Sequence, residues 1–320
     1  MAELKVHILN VGHGDCAVIR HPLGRLTMID INNGCALDEV TYKELVAYYP
    51  LEFSQHLRAS VAKGERIAVL VEKGYNIKLT NPLEFLKEMY PGKPIWRYIQ
   101  THPHMDHMRG LVAIGQDHIG IANLWDTDHD YVPDDLTDAD RVDWDEYQAL
   151  RSGKRTTNVL RICRGAKAVF YGEDPAGVPP GDGIQILHPP GGARTSADSD
   201  ENPNSLSYIL RMEYKGIVFI FGGDAEESVW KEVAQACPKL LKCNVLKASH
   251  HGRDTGYCED AVKLMQPEYT VVSVGNKPDT DASNKYKKHS QNGWSTRWRG
   301  DITVTVPEQG QARIKSEYER

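Results

Sequence analysis

The sequence predicts an α/β fold in which two sheets pack together with helices outside them. Three observations carry this. Short apolar runs with period-two alternation fill the first thirty residues and much of the second half. Segments of helical periodicity are interspersed among them. Several apolar runs end abruptly in polar clusters, which is how open sheets present their working ends.

Taken in order, "LKVHILN", "CAVIR" and "RLTMIDI" read as three strands joined by Gly-His-Gly-Asp and His-Pro-Leu-Gly turns. From 36 to 90 the periodicity becomes helical, in "DEVTYKELVAYY" and in "NPLEFLKEMY", the latter with Asn at the cap and Pro in the first turn. "PIWRYIQ" is a strand, "MRGLVAIG" a short helix, and a further helix is expected around 157–164. A Gly/Pro-rich loop, "EDPAGVPPGDG", precedes the strand "IQILHPP". "SLSYILRMEYKGIVFIFGGD" is a hairpin turning at Lys215-Gly216, followed by the helix "AEESVWKEVAQAC". "CNVLKASHHG" and "YTVVSVG" are strands with a helix between them, and "DITVTVP" with "ARIKSE" closes the chain as a last hairpin. No short internal period recurs.

Composition excludes several classes. With 40% hydrophobic and 26% charged residues the chain is globular rather than disordered. The start "MAELKVHILN" is not a secretory leader, and no apolar run is long enough to cross a bilayer, so a cytoplasmic location is expected. The six cysteines lack CxxC spacing and read as reduced thiols. Net charge is -6, yet residues 126–146 hold ten acidic side chains against one Arg, so the remainder is basic. That acidic stretch is expected to be a solvated helix and loop or a partner-facing flap. "DTDHDYVPDD" within it lacks the Gly and the distal acid of a calcium loop.

The stretch "THPHMDH", residues 101–107, puts three imidazoles and a carboxylate into seven residues. In an extended chain His102, His104 and Asp106 share a face, and a turn after His104 brings His107 to the same point. Imidazole nitrogen with carboxylate oxygen suits Zn²⁺, Mn²⁺ or Fe²⁺. Four ligands so close together suit two neighbouring ions better than one. Two ions need further ligands, and strand ends offer them: Asp224 after "VFIFGG", and His250 with His251 after "VLKAS".

With these segments in order, the chain resembles the metallo-β-lactamase-fold hydrolases, and among them the hydrolase domain of bacterial DNA-internalisation competence proteins. "LNVGHGDCAVIR", "LTMIDINNG", "THPHMDHMRGL", "ILHPP", "NSLSYILR", "FIFGGDAE", "VLKASHHG" and "VVSVGN" carry the likeness along almost the whole chain. His13 stands where that family usually has Gln, and "IDIN" replaces Asp-Gly-Gly. The resemblance implies a four-layer αββα sandwich, one domain over 1–320 with insertions at about 36–90 and 126–155. It implies two divalent ions, zinc or alternatively manganese: His102 and His104 on the first, Asp106 and His107 on the second, Asp224 between them. His251 would complete the second site, with His250 facing substrate. His188 is the nearest candidate for a third imidazole on the first ion, with Asn204 or Ser205 as alternatives.

Two such ions acidify a shared water from a pKa of 15.7 toward about 7 and supply a hydroxide nucleophile, with Asp106 orienting it. The resemblance favours a phosphodiester substrate, in a nucleic acid or a small molecule. A carboxylic ester, thioester or lactam, or a non-catalytic metal-binding role, are the alternatives. In "NKYKKHSQ", residues 284–291, His289 is a candidate proton donor to the leaving group, and Lys285, Tyr286 or Lys287 candidate phosphate contacts. Oligomeric state is not legible.

Overall fold

The structure is a computed structural model that describes residues 2–33, 40, 41, 43, 44, 79–167, 171, 181–191 and 202–318. The helix expected over "DEVTYKELVAYY" and most of the Gly/Pro-rich loop lie largely outside the described residues.

The first sheet begins with β1 (Glu3–Ile8), β2 (Ala17–Arg20) and β3 (Leu26–Ile29), three antiparallel strands. Beyond β3 it turns parallel through β4 (Ile95–Ile99), β5 (Ile121–Trp125) and β6 (Asn158–Leu160). β13 (Ile302–Pro307) and β14 (Arg313–Ser316) extend its other edge, giving the order β14-β13-β1-β2-β3-β4-β5-β6. The second sheet has the order β12-β11-β10-β9-β8-β7. In it β7 (Ile184–His188), β8 (Ile209–Tyr214) and β9 (Ile217–Phe221) are antiparallel. From β9 onward β10 (Val245–Lys247), β11 (Tyr269–Val272) and β12 (Asn292–Ser295) run parallel. The β8–β9 hairpin turns at Lys215 and Gly216, both at positive φ, as a two-residue hairpin turn demands.

Period-two alternation explains the layering. Leu4, Val6 and Ile8 of β1 meet Phe219 and Phe221 of β9 in a core between the sheets. The alternate residues of β9, Val218 and Ile220, face outward. There they pack under α4 (Glu227–Ala236) and α5 (Glu259–Met265). On the opposite outer face Val18, Met28 and Tyr98 pack under three helices. These are α1 (Pro82–Met89), α2 (Leu111–Gln116) and α3 (Asp138–Arg151). Asn81 caps α1, its side chain accepting from the amides of Leu83 and Glu84. Helix, sheet, sheet, helix is the four-layer αββα arrangement.

Two expectations are corrected. Residues 158–160 are the edge strand β6 rather than a helix, because Thr157 and Val159 alternate with exposed Asn158 and Leu160. The acidic segment is only partly the solvated helix and loop expected: Asp128, Asp130, Asp134, Asp135, Asp138 and Asp145 are exposed. Its helix α3 forms, but Trp144, Tyr147 and Leu150 bury against the outer face. Asp143 accepts from the amides of Gly110 and Val112, both at 2.9 Å, and so caps α2 from outside. Asp126 is fully buried and takes a 3.0 Å bond from Arg151. Two short helices and one strand near the C-terminus, α6 (Ser283–Lys287), α7 (Thr296–Arg299) and β12, have no counterpart in the sequence reading.

Three buried histidines outside "THPHMDH" and "VLKASHHG" stay neutral, and this sets an acid limit on stability. Burial pushes His7 down to about 4 and His21 and His129 down to about 3. The unfolded value is near 6.5, so the unfolded chain takes up these protons first. Their stabilising contribution is complete above about pH 6.5 and is lost as pH falls through the folded values. The unfolding free energy from urea melts is expected to drop between pH 7 and pH 5, by roughly 1 kcal/mol per pH unit for each histidine, and the midpoint with it. His7→Gln should flatten that slope. A midpoint independent of pH over this window would contradict the assignment.

Candidate metal centre

The carboxyl ends of the parallel strands of both sheets meet at one edge of the sandwich. From the first sheet, β3 ends at Asp30 and β4 runs into Thr101, His102, His104, Asp106 and His107. From the second, β9 ends before Asp224 and β10 before Ser249, His250 and His251. Close backbone approaches draw together the segments that each sheet contributes. A Cβ on Gly14 would lie 2.5 Å from the Asp106 carbonyl oxygen, and one on Gly222 would lie 2.0 Å from Ser249 Oγ. His250 and His251 both sit at positive φ, 49° and 52°, a conformation side chains adopt at a cost.

Asp224 is the hub. His107 Nε2 lies 3.3 Å from Asp224 Oδ1, and His251 Nε2 3.5 Å from Asp224 Oδ2. His250 Nε2 and His102 Nε2 are 3.8 and 3.9 Å from Asp224 Oδ2. Asp106 Oδ2 is 3.2 Å from His251 Nε2, so Asp106, His107, Asp224 and His251 present four ligand atoms within 4.8 Å of one another. His102 and His104 touch beside them, Nε2 to Nδ1 at 3.1 Å. His104 reaches an edge-to-face contact with Tyr131 at 5.8 Å.

Behind these atoms stands a layer that the sequence reading missed. Asp30 accepts from His107 Nδ1 at 2.8 Å, from the Thr101 amide at 2.8 Å and from Thr101 Oγ1 at 2.7 Å. The Ser273 carbonyl sits 3.1 Å from His251 Nδ1. Each acceptor holds a proton on Nδ1 and leaves Nε2 facing the cluster. Lys247 shares its strand face with Val245, so its ammonium points between the sheets. It meets Asp15 at 2.7 Å, and Asp15 Oδ1 lies 3.6 Å from His251 Nδ1.

Charge completes the fit to a cation. Burial opposes charge on Asp224, yet His107 and His251 hold its carboxyl well below the usual range. Burial likewise opposes charge on His251, but Asp224, Asp106 and Asp15 push it up to about 10. His107 is held well above its ordinary value by Asp224, Asp30 and Asp106, again against burial. The carboxylates therefore need positive charge among them, which protons on two imidazoles or a divalent ion can provide. His107 Nε2 and Asp224 Oδ1 are buried and lack a well-aligned hydrogen bond, as donors to an ion would.

Two predicted residues stand elsewhere. His188 ends β7 with Nδ1 3.0 Å from the Ser207 carbonyl, and Ser207 Oγ in turn accepts from the Asp224 amide at 3.1 Å. His188 thus backs the chain that carries Asp224 and is not among the converging ligand atoms. Of its alternatives, Asn204 donates to Glu226 and Ser205 to the Asn202 carbonyl. His289 is corrected outright. Helix α6 carries the chain away from the carboxyl end of β11, so His289 lines a groove of about 950 Å³ with Asn244 and Glu268. Those two residues precede β10 and β11, at the opposite end of the sheet from Asp224. Tyr286 is buried with its hydroxyl on the Gly256 carbonyl, and Lys285 pairs with Asp254 at 2.9 Å. His289 is therefore not placed to serve a leaving group at the cluster, and the candidate phosphate contacts Lys285 and Tyr286 are engaged by Asp254 and the Gly256 carbonyl.

Sandwich and site together define the class: an αββα sandwich with a buried imidazole–carboxylate cluster at its strand ends. No family model matches the chain. Over 79 residues it is 33% identical to ComE operon protein 3 of Bacillus subtilis (strain 168), covering 25% of this chain and 10% of that protein. The chain thus aligns with only a tenth of that relative's length. Among solved structures it is similar to the metallo-beta-lactamase fold protein YhfI from Bacillus subtilis. That match has 9% identity and a TM-score of 0.45 over 91% of this chain and 95% of that one. It is also similar to Igni18, a metallo hydrolase from Ignicoccus hospitalis. There the identity is 12% and the TM-score 0.43 over 98% and 100% of the two chains. No helix among the described residues is long and apolar enough to cross a membrane.

Proposed function

We propose that the chain is a metal-dependent hydrolase of phosphodiesters, in nucleic acid or in a small molecule, working with two divalent ions, zinc or manganese. The observation that supports it is the convergence of Asp106, His107, Asp224 and His251 from both sheets on one buried point. His102 and His104 extend the donor set on the other side of Asp224. Bound there, divalent ions acidify a water molecule and neutralise charge that builds on a phosphoryl group.

The chain's own residues do the rest. Asp30 and the Ser273 carbonyl keep the protons of His107 and His251 on Nδ1, so each Nε2 offers a lone pair. Asp106, partly exposed at the rim, is placed to accept a proton from the attacking water. His250, whose Nδ1 is 2.7 Å from Thr255 Oγ1, keeps Nε2 toward Asp224 and the open side, where substrate enters. A phosphodiester is preferred over a carboxylic ester, thioester or lactam because the motif set resembles the competence-protein hydrolases.

Metal-stripped protein should be inert, and zinc or manganese should restore cleavage of bis(p-nitrophenyl) phosphate. Absence of turnover with either ion supplied, while a carboxylic ester or lactam is hydrolysed, would replace the phosphodiester reading by the acyl one.

A further inference from the structure

Beside the cluster lies a guanidinium that no carboxylate pairs with among the described residues. Arg253 follows His250, His251 and Gly252 and is partly buried. Its Nη2 donates to His13 Nε2 at 3.2 Å, and its Nε is buried without an acceptor. Arginine only donates, so His13 Nε2 is the acceptor. The neutral imidazole then carries its proton on Nδ1, which is also buried and unpartnered. The His13 ring packs against His251 at 4.6 Å between centroids, so guanidinium, His13 and His251 form one row ending at Asp224.

A buried donor without an acceptor is unfavourable, and a fixed positive charge without a counter-charge more so. Such a group persists where an anion completes it. A guanidinium fork matches two oxygens of a phosphate, whereas a neutral ester or lactam offers it no charge.

We propose that Arg253 is the phosphate-recognition residue of this site, taking the non-bridging oxygens of a phosphodiester, and that His13 is a positioning residue that anchors the guanidinium. The inference rests on the hydrolase reading and names what selects its substrate. His13 lies in the turn between β1 and β2, so anchoring Arg253 there ties the recognition group to both sheets.

The experiment compares zinc-loaded wild type with Arg253→Gln and Arg253→Lys in three readouts. These are kcat/KM on bis(p-nitrophenyl) phosphate and on p-nitrophenyl acetate, the Tm shift given by inorganic phosphate, and zinc affinity by calorimetry. Arg253→Gln is expected to lose about 10²–10³-fold on the phosphodiester and much less on the acetate, with the phosphate-induced Tm shift abolished. Zinc affinity should stay within about threefold, since Arg253 holds no ligand in place. Arg253→Lys keeps the charge without the fork and should fall about tenfold. It also serves if the Gln variant does not fold. His13→Gln, which can still accept from Arg253, should retain the phosphate shift, and His13→Leu should weaken it. Equal losses on both substrates, or phosphate protection intact in Arg253→Gln, would overturn the proposal. If wild type cleaves neither substrate, the hydrolase reading fails, and the phosphate shift still decides the role of Arg253.

Discussion

Asp224→Ala is expected to lower phosphodiester cleavage by about 10⁴-fold, ~5.4 kcal/mol of barrier, and to abolish tight uptake of divalent ions. Its carboxylate lies within 3.3–3.9 Å of four imidazoles, those of His107, His251, His250 and His102. Among the described residues it is the carboxylate that lies within 4 Å of both His102 and His251. Removing it takes away the bridge and also the strongest source of negative charge on His107 and His251. Both should then revert toward neutral imidazole in the metal-free protein, which a histidine-resolved NMR titration would register. The fold should survive, because the Asp224 amide, not its side chain, bonds to Ser207. Far-UV circular dichroism identical to wild type, with activity gone, is the expected pair of results. Retention of more than a tenth of the activity would remove Asp224 from the site.

Asp30→Ala is expected to act on stability and metal affinity together. One buried carboxylate accepts from His107 Nδ1, the Thr101 amide and Thr101 Oγ1. Truncation takes the acceptor from three buried donors beside the cluster and frees His107 to rotate or change tautomer. Breaking a buried, fully bonded charge typically costs about 3–5 kcal/mol. Loss of a partner behind a ligating histidine typically weakens metal binding about 10–100-fold. Asp30→Asn separates the two effects, since the amide oxygen can still accept one bond while the charge is gone. Chemical denaturation with calorimetric zinc titration of both variants checks this. An Asp30→Ala protein as stable as wild type, with unchanged zinc affinity, would mean that His107 needs no support from β3.

The residues facing the cluster were legible because they sit in short motifs at strand ends, where alternation and glycine mark where a chain stops and turns. "THPHMDH", "FIFGGD" and "VLKASHHG" each carry their meaning locally. The residues behind them carry no local signal. Asp30 is 77 positions from His107, and Asp15 is 232 from Lys247, so only the packed sheets reveal that they meet. A lysine at the end of a short apolar strand, Lys247 of β10, was the one visible hint, since its charge had to find a partner. Charge counting failed at Asp126 and Asp143 for a related reason. It treats every carboxylate as solvated, whereas these two serve as acceptors for Arg151 and for the amides of α2. His289 was misplaced because sequence order does not tell which end of a sheet a crossover visits. The edge strand β6 was read as helix because three residues are too few for a period to declare itself.

Titration of zinc into metal-stripped protein tests the central claim most directly. Saturable binding of about two ions per chain, with proton release as His107 and His251 give up their charge, is the predicted result. Protein that takes up no zinc and releases no protons would contradict it, and the cluster would then be an ion-pair network closing one edge of the sandwich.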